Sequence, residues 1–364
     1  MASPSLSLAT ILPDHRLEPF AIPTSSGSTV SGFSRGLGEN APVLVLIHGY
    51  PETNFMTAAN ADDLLASGGA MYVYTFIIYN LFGYIQLTNQ VIRLLPANIP
   101  LFVPDIPGYG ASTPSQTSHD KATIGAAILD ALTSLLEKTS ARSRPYEIVL
   151  AGHDRGARIC HRLAVDADTY ANQFTILGTV LMDIVPTLVQ WQGMTRPAEA
   201  VGFYHWPFLA NVDLATEMIQ AMGGDVFVRR LFQRGWGQLS ARGAENLAKD
   251  GALEVYETSF KQESVVRASN LDYAAGARED VEQQTKDQEA GRKLAVPTLV
   301  LYSAAGIGRR FDVPGVWQDW VVPGKELLVA EGIGEGAAHF FPEENPEETV
   351  EKMQGWFGRI GVYH

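Results

Sequence analysis

The stretch from Glu147 to Cys160, EIVLAGHDRGARIC, constrains the fold of this 364-residue chain more than any other. Glu147 to Ala151 is a short apolar run of the kind that forms a buried parallel strand, and from Arg155 onward the spacing of Ala157, Ile159 and Leu163 suits a helix. Gly152 and Gly156 bracket the junction. A strand, a glycine, three residues and a second glycine opening a helix form a nucleophile elbow, in which a sharp turn lifts one side chain clear of the sheet edge. That side chain would be Asp154. The plainer alternative is an aspartate capping an ordinary helix, since Asp is a favoured cap.

A serine at an elbow needs a base before it can attack, whereas a carboxylate is already ionised at neutral pH and can bond to carbon directly. The chemistry expected of Asp154 is therefore displacement at an alkyl carbon. Arg155 and Arg158 follow within the first helical turn, where unpaired N–H groups and the helix dipole already favour an anion. Two guanidinium forks there could hold a carboxylate beside the nucleophile. Without the elbow, the same two arginines would read as solvated or salt-bridged helix residues.

GHDRGAR resembles the nucleophile motif of haloacetate dehalogenases, the fluoroacetate dehalogenase branch of the α/β-hydrolases. Haloalkane dehalogenases and epoxide hydrolases resemble it too, but typically carry Trp where this chain has Arg155. That position favours an acid substrate. The similarity runs from about Ala41 to the C-terminus and implies an α/β-hydrolase fold: a mostly parallel central sheet flanked by helices, with a helical cap. The expected division is a first core part over 1–186, a cap over 187–292 and a second core part over 293–364.

A composition that is 46% hydrophobic and 18% charged suits one large α/β domain with an inserted subdomain. The net charge of -13 argues against nucleic acid or an anionic membrane as partner, while an anionic small molecule stays open because only the local field counts. Cys160 is the sole cysteine, so no disulfide framework or cysteine metal site is expected, and its helical position suggests a buried structural thiol. MASPSLSLATILPDHRL lacks the basic start and long apolar core of a secretory signal, which makes a cytoplasmic enzyme the default. No metal cluster, nucleotide loop or internal repeat stands out, and no cofactor is expected.

In chain order, Met1 to Asn40 reads as an outer hairpin with β-like pieces such as Gly27 to Gly32. Pro42 to Ile47 reads as a buried strand spilling into His48-Gly49-Tyr50-Pro51-Glu52-Thr53. The resemblance implies that the Tyr50 and Arg155 N–H groups form an oxyanion hole. About 54–87 departs from the family as an insert of roughly thirty residues. It is uncharged from Leu64 to Ile92 and dense in aromatics from Met71 to Leu87.

By length alone the insert is a membrane-span candidate. It falls between two strands that should be neighbours in one sheet, so a span is rejected. A flap, a dimer or membrane-surface patch, and a gene-model error remain open. Ile99 to Val103 returns to strand pattern, and the DxPGxG-like turn Asp105 to Gly110 follows, with Asp105 read as structural. Ile124 to Leu136 has helical periodicity.

Thr175 to Met182 is another buried run, delivering Asp183 in LMDIVPT at a strand end, where sites assemble in open α/β sheets. That segment resembles the one whose Asp orients the family's catalytic histidine. The longer interval from Asp154 looks like a loop extension around Asp168 to Gln173. Val296 to Tyr302 and Glu326 to Glu331 read as the last strands, with Asp312 as the reserve acid. His339-Phe340-Phe341, before a closing helix from about Pro346, matches where the family keeps its histidine.

From Trp191 to about Arg292 the strand–helix alternation gives way to helical stretches. His205-Trp206 and Tyr273 resemble the family's halide ligands, three polar hydrogens for a departing anion. Each would otherwise be read as packing. The expectation is hydrolysis of a short 2-haloacid by Asp154, Asp183 and His339. The alternatives are an epoxide hydrolase using the same three residues, a non-catalytic binding protein or, disfavoured by the absence of Ser from the elbow, an esterase or lactonase using Asp154 as base. A homodimer is one open assembly state.

Overall fold

The computed structural model describes residues 16–53, 87–234, 240–248, 251–324, 326–334 and 336–363. Residues 54–86, nearly all of the expected insert, lie outside them. Eight strands form one sheet: β1 (Glu18–Pro23), β2 (Thr29–Arg35), β3 (Val43–Ile47), β4 (Leu101–Pro104), β5 (Tyr146–His153), β6 (Phe174–Met182), β7 (Thr298–Ser303) and β8 (Leu328–Ile333). Their order is β1-β2-β4-β3-β5-β6-β7-β8, antiparallel for the first three and parallel from β4 to β8.

Strand order follows from burial. β3 and β5 are apolar on both faces because each lies inside the sheet with helices above and below. Val43, Val45 and Ile47 join one core cluster and Leu44 and Leu46 the other, the period of two expected of a strand. The first cluster is shared with helix Lys121–Thr139 and the elbow helix Asp154–Val165 through Ile124, Ile128, Leu132, Ile159, Cys160 and Leu163. The second takes Met353, Trp356 and Phe357 from the closing helix Pro346–Arg359. β3 and β4, on either side of the insert, are paired in parallel, as the expectation of neighbouring strands requires.

Most sequence-derived strands agree with the structure to within two or three residues. The stretch from Asp168 to Gln173 does not remain a plain loop: a short helix, Ala167–Tyr170, forms before the turn into β6. Between β6 and β7 the described chain is helical, from Thr187–Gly193 to Glu279–Glu289. Among the described residues no helix is long and apolar enough to cross a membrane.

Candidate active site

β5 ends at His153 and the elbow helix starts at Asp154 with φ of +43°, a left-handed backbone that bulky residues avoid. The two glycines make that turn sterically feasible. A Cβ on Gly152 would collide with the Gly156 backbone, and one on Gly156 with the carbonyl oxygens of Ile47 and His48. Asp154 thus sits where five residues of chain reverse direction against β3. Its carboxylate accepts the Tyr50 N–H at 3.1 Å.

Asp154 is 5% exposed. Burial acts most strongly on its carboxyl and would raise its pKa, but the charges of His339, Arg155 and Arg158 together outweigh burial and hold it below the usual carboxylate value. The side chain is an anion at neutral pH.

Asp183 follows β6 at φ +53°. Its Oδ2 lies 2.7 Å from His339 Nδ1, while Oδ1 accepts the Ser303 N–H at 2.7 Å and the Ser303 hydroxyl at 2.8 Å. Ser303, the last residue of β7, therefore fixes the carboxylate's orientation. A carboxylate at Nδ1 selects the Nδ1–H tautomer and leaves Nε2 as the ring atom able to take a proton. Asp312 has a different place: its side chain accepts the Gly315 N–H at 3.2 Å and caps helix Val313–Gln318. Asp105 accepts the Ala111 N–H at 2.9 Å within its turn, consistent with a structural part.

The two arginines differ. Arg155 is fully buried and spends its fork on Asp272, with Nε to Oδ2 at 2.6 Å and Nη2 to Oδ1 at 3.0 Å and to the backbone oxygen at 2.9 Å. Arg158 donates from Nη1 to the Val185 oxygen at 3.0 Å and to Thr187 Oγ1 at 3.1 Å. Among the described residues, Arg155 Nη1 and Arg158 Nε are buried N–H groups with no acceptor. The guanidiniums lie near the Trp206 ring at 5.6 and 4.6 Å, and Arg155 also lies over Tyr273 at 4.3 Å.

Trp206 and Tyr273 meet edge to face at 5.8 Å, and His205 meets Tyr273 at 6.0 Å. The helix His205–Leu209 and the helix Glu263–Ala277 thus bring together the three residues matched to a halide cradle. Burial, the largest influence, lowers the His205 pKa to about 3, so its ring is neutral. A cavity of about 510 Å³ is lined by Asp154, Arg158, Asp183, His205, Trp206 and His339 among others; Arg155 and Tyr273 lie against the Trp206 ring of this lining.

Four contributors were not assigned a role from sequence: Glu52, His153, Ser303 and Asp272. His153 Nδ1 lies 3.1 Å from Glu52 Oε2 and its Nε2 2.7 Å from the His339 carbonyl. The signals of these four in the sequence were positional alone: His153 within the elbow motif, Glu52 in the loop after β3, Ser303 at a strand end and Asp272 beside Tyr273. Among the described residues no group of three or more His, Cys, Asp or Glu is arranged to hold a metal.

An aspartate on a strand-to-helix elbow, backed by an Asp–His pair from later strand ends of an open parallel sheet, is the arrangement of an α/β-hydrolase. The chain belongs to the alpha/beta hydrolase family, whose sequence profile matches residues 44–352. It is 26% identical to the fluoroacetate dehalogenase of a Burkholderia species over 331 residues, 90% of this chain and 91% of the relative. It is 24% identical to the soluble epoxide hydrolase of Corynebacterium sp. (strain C12) over 279 residues, 75% and 85% of the two chains. A solved structure assigned to the alpha/beta hydrolases, from Nostoc sp PCC 7120, superposes with a TM-score of 0.71 at 26% identity, covering 94% of this chain and 98% of that one.

Proposed function

We propose that the protein hydrolyses the carbon–halogen bond of short 2-haloacids, with the helices of 187–292 serving as a cap over the site. The observation that carries this reading is the pair of buried, unsatisfied guanidinium N–H groups, Arg155 Nη1 and Arg158 Nε, flanking Trp206 close to the elbow. Such donors cost about 1–3 kcal/mol each when left unpaired. A substrate carboxylate would satisfy both and hold the α-carbon against Asp154.

In the first step an Asp154 oxygen attacks the α-carbon in line while the halide leaves with the bonding pair toward His205, Trp206 and Tyr273. An aspartyl ester results. In the second, His339, oriented by Asp183, takes a proton from water as its oxygen adds to the Asp154 carboxyl carbon. The Tyr50 N–H, already on Asp154 Oδ2, would receive the oxyanion, with the Arg155 N–H beside it. Collapse breaks the bond between that carbon and the ester oxygen, the Asp154 oxygen that attacked in the first step, and His339 returns the proton to that oxygen as the 2-hydroxyacid departs while a water oxygen remains on Asp154.

Turnover in heavy-oxygen water tests the scheme. In a single cycle with enzyme in excess, label should enter the Asp154 peptide and not the product. Label appearing in the first product would overturn it. His339→Ala should accumulate the ester, visible by mass spectrometry, with turnover down by about 10²–10⁴-fold. An epoxide hydrolase would use the same three residues, and the Corynebacterium relative gives that reading its support. Assaying chloroacetate against styrene oxide separates the two, because only an acid exploits the buried guanidinium donors.

A further inference from the structure

The cavity is larger than a haloacetate requires. At roughly 30 Å³ per water-sized group, such a molecule fills no more than about 150 Å³, against the 510 Å³ lined by this chain. Part of the remaining lining comes from the loop after β7, Ala305 to Arg310, and from Glu199, Gly202 and Phe203 opposite. That region is rich in cations although the protein carries a net charge of -13.

Arg310 donates from Nη1 to Glu199 Oε2 at 2.8 Å, and its guanidinium lies 4.9 Å from the Phe203 ring centre. A Cβ on Gly202 would collide with that guanidinium, so the side chain rests directly on the facing backbone. Arg196 reaches the same Glu199 at 4.0 Å. Arg309 lines the cavity, is exposed, and makes no ion pair among the described residues. Two guanidiniums, Arg310 and Arg196, therefore share the Glu199 carboxylate while Arg309 adds a third positive charge at the exposed end, and Arg158, 4% exposed, stands at the buried end beside Asp154.

We propose that the site takes a 2-haloacid carrying a second anionic group at its far end, a halogenated dicarboxylate, with the distal carboxylate received by Arg309 and Arg310. This rests on the dehalogenation reading above. The proximal carboxylate sits at Arg158 and Arg155, and the chain between the two anions occupies the volume a haloacetate leaves unfilled. A cleft whose rim carries excess positive charge also concentrates a doubly anionic substrate against the repulsion of the acidic surface.

The test compares 2-chlorosuccinate with 2-chlorobutanoate, equal in chain length and differing in the distal carboxylate, with chloroacetate as the reference. The wild-type protein should favour the dicarboxylate in kcat/KM, and Arg309→Gln should reduce that preference by about fivefold, the worth of a part-exposed charge pair. Equal values for the two substrates, or a preference untouched by Arg309→Gln, would overturn the proposal. Calorimetry with 2-chlorosuccinate on Asp154→Asn protein, with and without Arg309→Gln, reads the subsite without turnover. Arg309-dependent binding without halide release from any substrate would retain the subsite and remove the dehalogenase reading. Binding independent of Arg309 would remove the subsite while leaving chloroacetate turnover to stand on its own.

Discussion

His153 shows how one side chain can be fixed by proton counting. A neutral imidazole offers one N–H and one lone pair, yet both neighbours here are acceptors: the Glu52 carboxylate and the His339 carbonyl. Glu52 Oε2 also accepts the Gly49 N–H at 2.7 Å. With Glu52 ionised the ring carries both protons, and it ties the Gly49–Tyr50 loop, the elbow and the His339 segment into one unit. Burial, the largest influence, opposes the charge, but Glu52, with help from Asp154 and Asp183, outweighs it and raises the pKa to about 9. In an unfolded chain the ring titrates near 6.5. The stabilisation is therefore complete below about pH 6.5 and is lost as pH rises through about 9, a few kcal/mol at about 1.4 per unit. Urea midpoints should fall across that window in the wild type and lose this slope in His153→Gln. Parallel curves would show the pair to be energetically inert. His153 lay inside the motif that organises the whole sequence reading, yet its role was illegible because its partners come from Glu52 and His339, far away along the chain.

Elements were more legible than pairings because they depend on nearby residues. The alternation and apolar runs that mark β3, β5 and β6 are local, and so are the elbow glycines, whose missing side chains are required by the backbones they touch. Helix Lys121–Thr139 was legible in its middle but not at its start, since periodicity does not identify a cap. The structure puts Asp120 there, accepting the N–H groups of Ala122 and Thr123, both at 3.0 Å. Asp120→Ala should lower stability by about 1 kcal/mol, while Asp120→Ser, another good cap, should recover most of it. Thermal melts of the two variants decide this; equal losses would mean that the carboxylate acts through charge rather than as a cap. The elbow arginines mark the limit of local reading. Three-residue spacing put both on the first helical turn, but the ion pair that occupies Nε and Nη2 of Arg155 depends on Asp272, more than a hundred residues later.

At the scale of the whole molecule, Asp272 joins parts that the sequence keeps apart. Its carboxylate is bonded by Arg155 on the elbow helix and by Lys121 at the start of the helix before β5, and it accepts the Tyr109 hydroxyl at 3.1 Å. Lys121 also faces Asp280 at 3.5 Å. Helix Glu263–Ala277, which carries Tyr273, is thereby pinned to the sheet's own helices by charge as well as by apolar contact. Burial is the largest influence on Asp272 and would raise its pKa, but Arg155 and Lys121 outweigh it and hold the carboxyl well below the usual range. A depressed carboxylate stabilises the fold above its unfolded value, near pH 3.9, and that contribution is lost as pH falls through the folded value. Removing one partner of a buried pair leaves the others uncompensated, so Asp272→Asn should cost about 3–5 kcal/mol at neutral pH, despite being nearly isosteric. The exposed Lys286–Glu282 pair provides the contrast, because solvent screens it and Glu282→Gln should leave the denaturation midpoint unmoved. If Asp272→Asn is as silent as Glu282→Gln, apolar packing alone holds the helix in place. If the large loss appears and the variant's stability also becomes flatter below pH 4, the buried charge network is what docks the Tyr273 helix over the elbow.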